Sequence, residues 1–283
     1  MLSNDDLKKK ITELFGDKVM TVSPLSSAEH AESFKIVMDN GDRYVAKRSP
    51  HSLDEEAKMI TYLQDKGGLP VPKIYHASPN LLIMETIHSD WIMNESAQRD
   101  AAAHLARLHK VESDRYGFEF DTHIANILQS NTQTTDWAEF FINNRLLHMA
   151  GLAYRQQAIN TELMHKIDIL ASKASSIIGQ GNRPVLIHGD CWGGNILPYQ
   201  GQIKAFIDPA MYYADHEIEL AFLTLFNTAD QHFFARYEEE IEIKPGFFEE
   251  RRTLYNIYPL LVHAVLFGRS YARKVYKAVE TFI

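Results

Sequence analysis

Apolar residues recur at helical spacing near the start of the chain. Leu7, Ile11, Leu14 and Phe15 fall on one face of residues 3–15, which predicts an amphipathic opening helix. Two short β-forming runs follow, at 33–38 and 43–48. Between them Asp39-Asn40-Gly41-Asp42 carries the Asn-Gly pair typical of a tight hairpin. Pro50 breaks the second run. Ser52-Leu53-Asp54-Glu55 then matches a capping box, and Asp54, Glu55 and Glu56 suit the positive end of a helix. That helix is expected to run to about residue 66 and stop at Gly67-Gly68. Beyond Pro70 and Pro72, residues 73–77 and 81–87 read as two further strands.

After Trp91 the periodicity changes. Residues 95–111 place Ala102, Leu105, Leu108 and His109 at helical spacing, and 137–154 and 161–178 behave alike. A strand pair at 185–208 interrupts the helices, which resume at 216–226, 247–267 and 270–282. The pattern predicts an α+β, two-lobed, protein-kinase-like fold. Residues 1–87 would form a small antiparallel β-rich lobe with one internal helix, and 88–283 a larger, mostly helical lobe.

Composition narrows the class. With 283 residues, 45% of them hydrophobic, the chain has ample material for two cores. A net charge of -8 disfavours nucleic-acid and anionic-membrane binding. No apolar run approaches the ~18 to 20 residues of a membrane span, and the first residues lack a secretory apolar core. The single cysteine, Cys191, excludes a disulfide framework and a cysteine-rich zinc site. Those features point to the cytoplasm and leave oligomeric state open.

The chemistry concentrates in VLIHGDCWGGNILPYQGQIKAFIDPA, residues 185–210. His188-x-Asp190 is followed by Asn195 and, after a second apolar run, by Asp208. Two carboxylates and an amide offer oxygen ligands to a hard cation plus one group that accepts a proton, the set phosphoryl transfer requires. Asp190 is the candidate general base, and Asn195 with Asp208 the candidate Mg²⁺ ligands. Each alone reads as a turn residue or strand-end cap; the spacing of the three argues for joint chemistry. His188 reads as a loop stabiliser. Lys47 ends a Val-Ala-Lys strand like the one that carries a nucleotide-binding lysine in kinases, with Glu56 as its partner and Glu55 as the alternative. The backbone near Glu85 and Ile87 would meet the adenine edge of ATP.

Together these residues resemble the fructosamine/ketosamine kinase family, near the aminoglycoside and choline kinases. The HGDCWGGN run, the Asp-Pro-Ala-Met-Tyr-Tyr-Ala-Asp-His-Glu run from Asp208 to Glu217, YVAKRS and PGFFEERRTLYNIYPLLVHAVLFG carry the likeness, which extends over residues 22–276. The resemblance implies ATP-dependent phosphorylation of a sugar hydroxyl on a ketoamine, small or protein-bound, with Asp190 as base and Lys47 and Glu56 positioning phosphates. It implies a sugar-facing Trp192, whose alternative is loop packing, and an Asp215 that either orders its loop or meets the substrate amine. Departures exist: the first hairpin has Ser26-Ser27-Ala28-Glu29-His30 where relatives carry glycines, and Glu29 would face phosphates unfavourably. Cys191 reads as a small buried hydrophobe, with a reactive thiol as the alternative. Two other functions stay open: a kinase for another small hydroxyl compound, and a nucleotide-binding protein without turnover.

Overall fold

The computed structural model describes residues 3–28, 31–50, 52–181 and 183–283. The opening helix α1 (Asn4–Phe15) is capped by Ser3, whose hydroxyl accepts the Asp6 amide while Asp6 returns a bond to the Ser3 amide. It buries Leu7 and Ile11 but leaves Leu14 43% exposed, because only one narrow seam touches the sheet.

That sheet has five strands: β1 (Val19–Ala28), β2 (Ala31–Met38), β3 (Arg43–Arg48), β4 (Ile74–Ser78) and β5 (Leu81–Glu85). Their order is β1-β2-β3-β5-β4, with every neighbouring pair antiparallel. Gly41 turns the β2–β3 hairpin at φ +91°, where a side chain would be strained. Strand β1 has no counterpart among the expected runs. Its Pro24 and serines hide any alternation, and an edge strand tolerates the proline at a register shift between Pro24 and Ser26.

Helix α2 (Leu53–Gly67) connects β3 to β4 and ends on Gly68 at φ +63°. The expected capping box does not form. The Ser52 hydroxyl instead donates to the Asp54 carboxylate at 2.6 Å, a charge-assisted bond stronger than one to a backbone amide. One face of α2 packs Leu53, Ala57 and Ile60 against Leu82 and Met84 of β5. Met59 and Leu63 join the large core of the helical body. Thus α2 is seated on both cores, which fixes the direction of its acidic first turns.

The helical body follows: α3 (Glu95–Leu108), the hairpin β6 (Thr122–Ile124) and β7 (Ile127–Gln129), then α4 (Trp137–Phe140), which runs through a π-helical stretch, Phe141–Leu147, into α5 (His148–Arg155). Helix α6 (Thr161–Ile178) matches its expected span. Next come β8 (Val185–Ile187), β9 (Ile196–Tyr199), β10 (Gln202–Phe206) and β11 (Tyr212–Ala214). The sequence pointed to one strand pair here; there are two, β8 with β11 and β9 with β10, both antiparallel. Helices α7 (Glu217–Leu225), α8 (Gln231–Glu238), α9 (Arg252–Phe267, led in by a π-helical Phe247–Arg251) and α10 (Arg269–Glu280) complete it. The short β6, β7, β11 and α8 were not anticipated, since three to eight residues hold too few periods to read. No described helix is long and apolar enough to cross a membrane.

Candidate active site

A cleft of about 360 Å³ lies between the sheet with α2 and the helical body. Its upper wall comes from Ser26, Ser33, Lys47, Glu55 and Glu56, its lower wall from His123, Asp190, Trp192, Asn195 and Asp208. Lys47 reaches the cleft from β3, whose pairing with β2 and β5 places it opposite Ser33 and Leu82. Its ammonium donates to both Glu56 oxygens, at 2.9 and 2.8 Å, and to Asp208 Oδ1 at 2.9 Å. The first bond ties strand to helix, and the last ties the sheet to the helical body. Glu55, the alternative partner, faces His123 Nδ1 at 3.4 Å.

Burial and charge compete in this trio. Burial alone would weaken the hold of Lys47 on its proton, but Asp208 and Glu56 together raise its pKa. Burial also raises Glu56, with Lys47 opposing, so Glu56 titrates above the ordinary carboxylate range. Asp208 is pushed up by desolvation, but the charge and hydrogen bond of Lys47, with Glu56 and His188 adding to them, together outweigh it, and it ends below that range. Asp208 stands at φ +53°, in the left-handed region where few non-glycine residues rest. Backbone strain of this kind collects at functional sites.

The loop after β8 presents the remaining groups. Gly189 has φ +85°, and a Cβ there would lie 2.0 Å from the Ala210 carbonyl oxygen, so only glycine fits between His188 and Asp190. His188 is fully buried, its Nδ1 accepts the Asp190 amide at 3.3 Å, and its carbonyl accepts the Ala210 amide. The Asn195 amide nitrogen donates to the Asp190 carbonyl at 2.8 Å and to Asp190 Oδ2 at 2.9 Å. That leaves Asn195 Oδ1, an acceptor only, for another partner. Burial first, then the neighbouring Asp208 charge, pushes the Asp190 carboxyl up to about 7. Trp192 is 39% exposed; its indole lies against Gly194, where a Cβ would come within 2.5 Å of the ring, and the Phe226 ring lies 5.9 Å away.

Beneath the loop sits a group that motif reading missed. Glu219 of α7, fully desolvated, accepts the Gly189 amide at 2.7 Å, the His188 amide at 3.2 Å and His109 Nε2 at 3.0 Å. His109 in turn bonds the Tyr237 hydroxyl at 2.7 Å. The only sequence signal was a second glutamate, after Glu217, at the start of the largely apolar α7. Thr228 adds a second brace, accepting the Gly193 amide at 2.8 Å, and Gln98 holds the Thr228 carbonyl.

His188, Cys191 and Glu219 bring possible metal-ligating atoms within 4.8 Å of one another. The Glu219 oxygens are already spent on the loop, and burial holds the Cys191 thiol well above its ordinary pKa. This trio is a structural joint, and Cys191 is a small buried hydrophobe.

Other expected residues lie elsewhere. Asp215 does not line the cleft: it is 3% exposed, accepts the Glu217 amide and faces His216 Nδ1 at 3.3 Å, ordering the entry to α7. Glu85 and Ile87 also lie outside the cleft wall, where β5 ends and the chain crosses towards α3. The double tyrosine builds scaffold. Arg145 lies 3.9 Å above the Tyr212 ring, and the Tyr213 hydroxyl meets Tyr62 of α2 at 3.0 Å. Ser26 lines the cleft, whereas the hairpin tip with Glu29 and His30 falls outside the described residues.

A five-stranded sheet with a helix-paired lysine, facing a helical body that presents Asp190, Asn195 and Asp208, defines a protein-kinase-like phosphotransferase. Comparison with known proteins narrows the class. A sequence model of fructosamine kinase matches residues 5–283, and the chain belongs to the fructosamine kinase family. It is 31% identical over 195 residues to a probable ketoamine kinase of Enterococcus faecium, covering 68% of this chain and 70% of that one. Against a chloroplastic protein-ribulosamine 3-kinase of Oryza sativa subsp. indica the identity is 28%, covering 100% of this chain and 84% of the relative. A crystal structure assigned as a fructosamine-3-kinase from Thermobifida fusca superposes with a TM-score of 0.88 at 24% identity, covering 98% of both chains.

Proposed function

We propose that this protein transfers the γ-phosphoryl group of ATP to a sugar hydroxyl of a ketoamine, with Asp190 as the base. One observation carries the reading: Asp190, Asn195, Asp208 and the Lys47–Glu56 pair face a single cleft although they come from four parts of the chain. The Asp190 carboxylate orients the acceptor hydroxyl and takes its proton as that oxygen bonds to phosphorus and the bond to ADP breaks. A carboxyl poised at about 7 suits this role near neutral pH. Lys47, kept protonated and aimed by Glu56, supplies positive charge to the phosphates.

Asn195 Oδ1 and the Asp208 carboxylate, which is 46% exposed towards the cleft, are hard oxygen donors that suit Mg²⁺. Bound there, Mg²⁺ would neutralise phosphate charge. The backbone near Glu85 and Ile87, beyond the cleft wall where β5 ends, is the proposed contact for an adenine that projects past that wall, and the indole of Trp192 the proposed face for the apolar side of the sugar. Residues 1–87 and 88–283 serve as nucleotide and acceptor lobes, and the ATP requirement suits a cytoplasmic location.

The test is a panel of free and peptide-bound ketoamines, fructose- and ribose-derived, incubated with ATP and Mg²⁺ beside aminoglycosides and amino alcohols. ADP release on ketoamines that Asp190→Ala abolishes supports the reading. Release only on the other hydroxyl compounds, or nucleotide binding without turnover on any, overturns it.

A further inference from the structure

We infer that the acceptor is a polypeptide-borne ketoamine with acidic flanking residues, held by an arginine-lined groove that leads away from the cleft; this rests on the ketoamine kinase reading. The β6–β7 hairpin turns at Ala125, which adopts φ +54°. Ile124 and Ala125 face the catalytic cleft. The next residue, Asn126, faces a second hollow of about 420 Å³ floored by Leu128, Leu152 and Leu266. The β6–β7 turn therefore borders both hollows, with Ala125 on the first and Asn126 on the second. Leu128 is 47% exposed there.

Arg155 belongs both to this second hollow and to a third, of about 780 Å³, which also holds Arg269, Arg273, Tyr154 and Tyr276. A chain of net charge -8, with 37 acidic residues, has carboxylates to spare. None of them among the described residues pairs with these three arginines. The nearby acids are engaged: Glu162 accepts the Tyr276 hydroxyl at 2.7 Å, and Glu280 binds Lys166 at 3.0 Å. All three arginines are exposed, at a site whose planar guanidinium forks suit carboxylates. The track from cleft to arginines has a mixed middle, where Asn126, His148 and Gln156 stand beside the leucines, and a cationic end. An extended chain entering with its modified lysine at Asp190 would lay apolar atoms over Leu128 and carboxylates on the arginines.

The experiment uses the full chain and three synthetic peptides carrying the same ketoamine-bearing lysine, flanked on both sides by glutamate, serine or lysine tracts. A small fructosamine serves as reference. The expected result is a KM about three- to tenfold lower for the glutamate peptide than for the serine peptide, the range for a few exposed charge pairs, shrinking as salt is raised. Arg155→Ala/Arg269→Ala/Arg273→Ala should erase that preference and leave the small fructosamine unchanged. Arg155→Glu/Arg273→Glu should move it to the lysine peptide. Equal KM for all peptides, or a preference indifferent to these variants, overturns the inference. Fluorescence anisotropy of the unmodified glutamate peptide reads the groove without catalysis: salt-sensitive binding lost in the triple variant supports it, and binding unchanged in that variant opposes it. Inorganic phosphate that competes with the peptide while the peptides show no KM difference would mark a site for a free anion and likewise overturn it. Failure to phosphorylate any ketoamine would count against the proposed function, while the anisotropy result still decides the groove.

Discussion

The two walls of the cleft are built in opposite ways. The upper wall's Lys47–Glu56 pair reaches Asp208 of the lower wall, 161 positions away, through the charge-assisted hydrogen bonds of one ammonium, and the Asp208 end is open to solvent. The loop from His188 to Asn195 is braced from below by neutral and charge-assisted bonds to Glu219, Thr228 and its own backbone, all buried or partly buried. On the proposed reading, the first wall exchanges partners when phosphates arrive and the second holds the proton acceptor in one place. Phosphoryl transfer depends on positioning and charge neutralisation, and here each is assigned to a different wall.

The contrast sets a scale of effects. Asp190→Asn keeps the shape and the bond to Asn195 but removes the base, so kcat should fall by roughly 10²- to 10⁴-fold. ATP affinity, measured by calorimetry, should change little. Lys47→Met removes charge from the adaptable wall and should lower kcat/KM by about 10²-fold. A loss in Lys47→Met as deep as that in Asp190→Asn would break the division of labour.

A pH effect follows from the rigid wall. Burial and Asp208 raise Asp190 to about 7 in the folded protein, against an ordinary value near 4 in the unfolded chain. Between those values the folded state keeps a proton that the unfolded chain has released. Stability from this group is therefore full below pH 4 and is lost as pH rises through about 7. Urea unfolding with a chelator present should find Asp190→Asn up to about 4 kcal/mol more stable than wild type at pH 8 and little different at pH 4.

The smallest effect belongs to the brace. Glu219→Gln keeps one acceptor oxygen under the loop and loses the charge that serves three donors. A roughly tenfold fall in kcat at unchanged KM for ATP is expected, about 1.4 kcal/mol of positioning. A rise in KM for ATP instead would show that the brace also shapes the nucleotide side.

Much of this was legible in the sequence because the chemistry is dense there. His188, Asp190, Asn195 and Asp208 sit within 21 residues, and the Val-Ala-Lys strand precedes an acidic helix start. Long periodic segments such as α6 were equally plain. What stayed hidden depends on tertiary partners. Strand β1 is disguised by Pro24 and its serines, and the three-residue strands β6, β7 and β11 carry no period. Glu219 and His109 gain their roles only when α3 and α7 meet under the loop. Tyr212 and Tyr213 stood in the sequence only as part of a family-like run, and their work is to anchor Arg145 and α2. Ser52 bonds the Asp54 carboxylate of its helix in place of a backbone amide.

The most direct measurement is ³¹P NMR of fructosyl-lysine incubated with ATP and Mg²⁺, comparing wild type with Asp190→Asn. A new sugar phosphomonoester signal with wild type, absent with the variant although the variant still binds ATP, is the predicted result. The same signal at comparable rate from Asp190→Asn would contradict the assignment of Asp190 as the base.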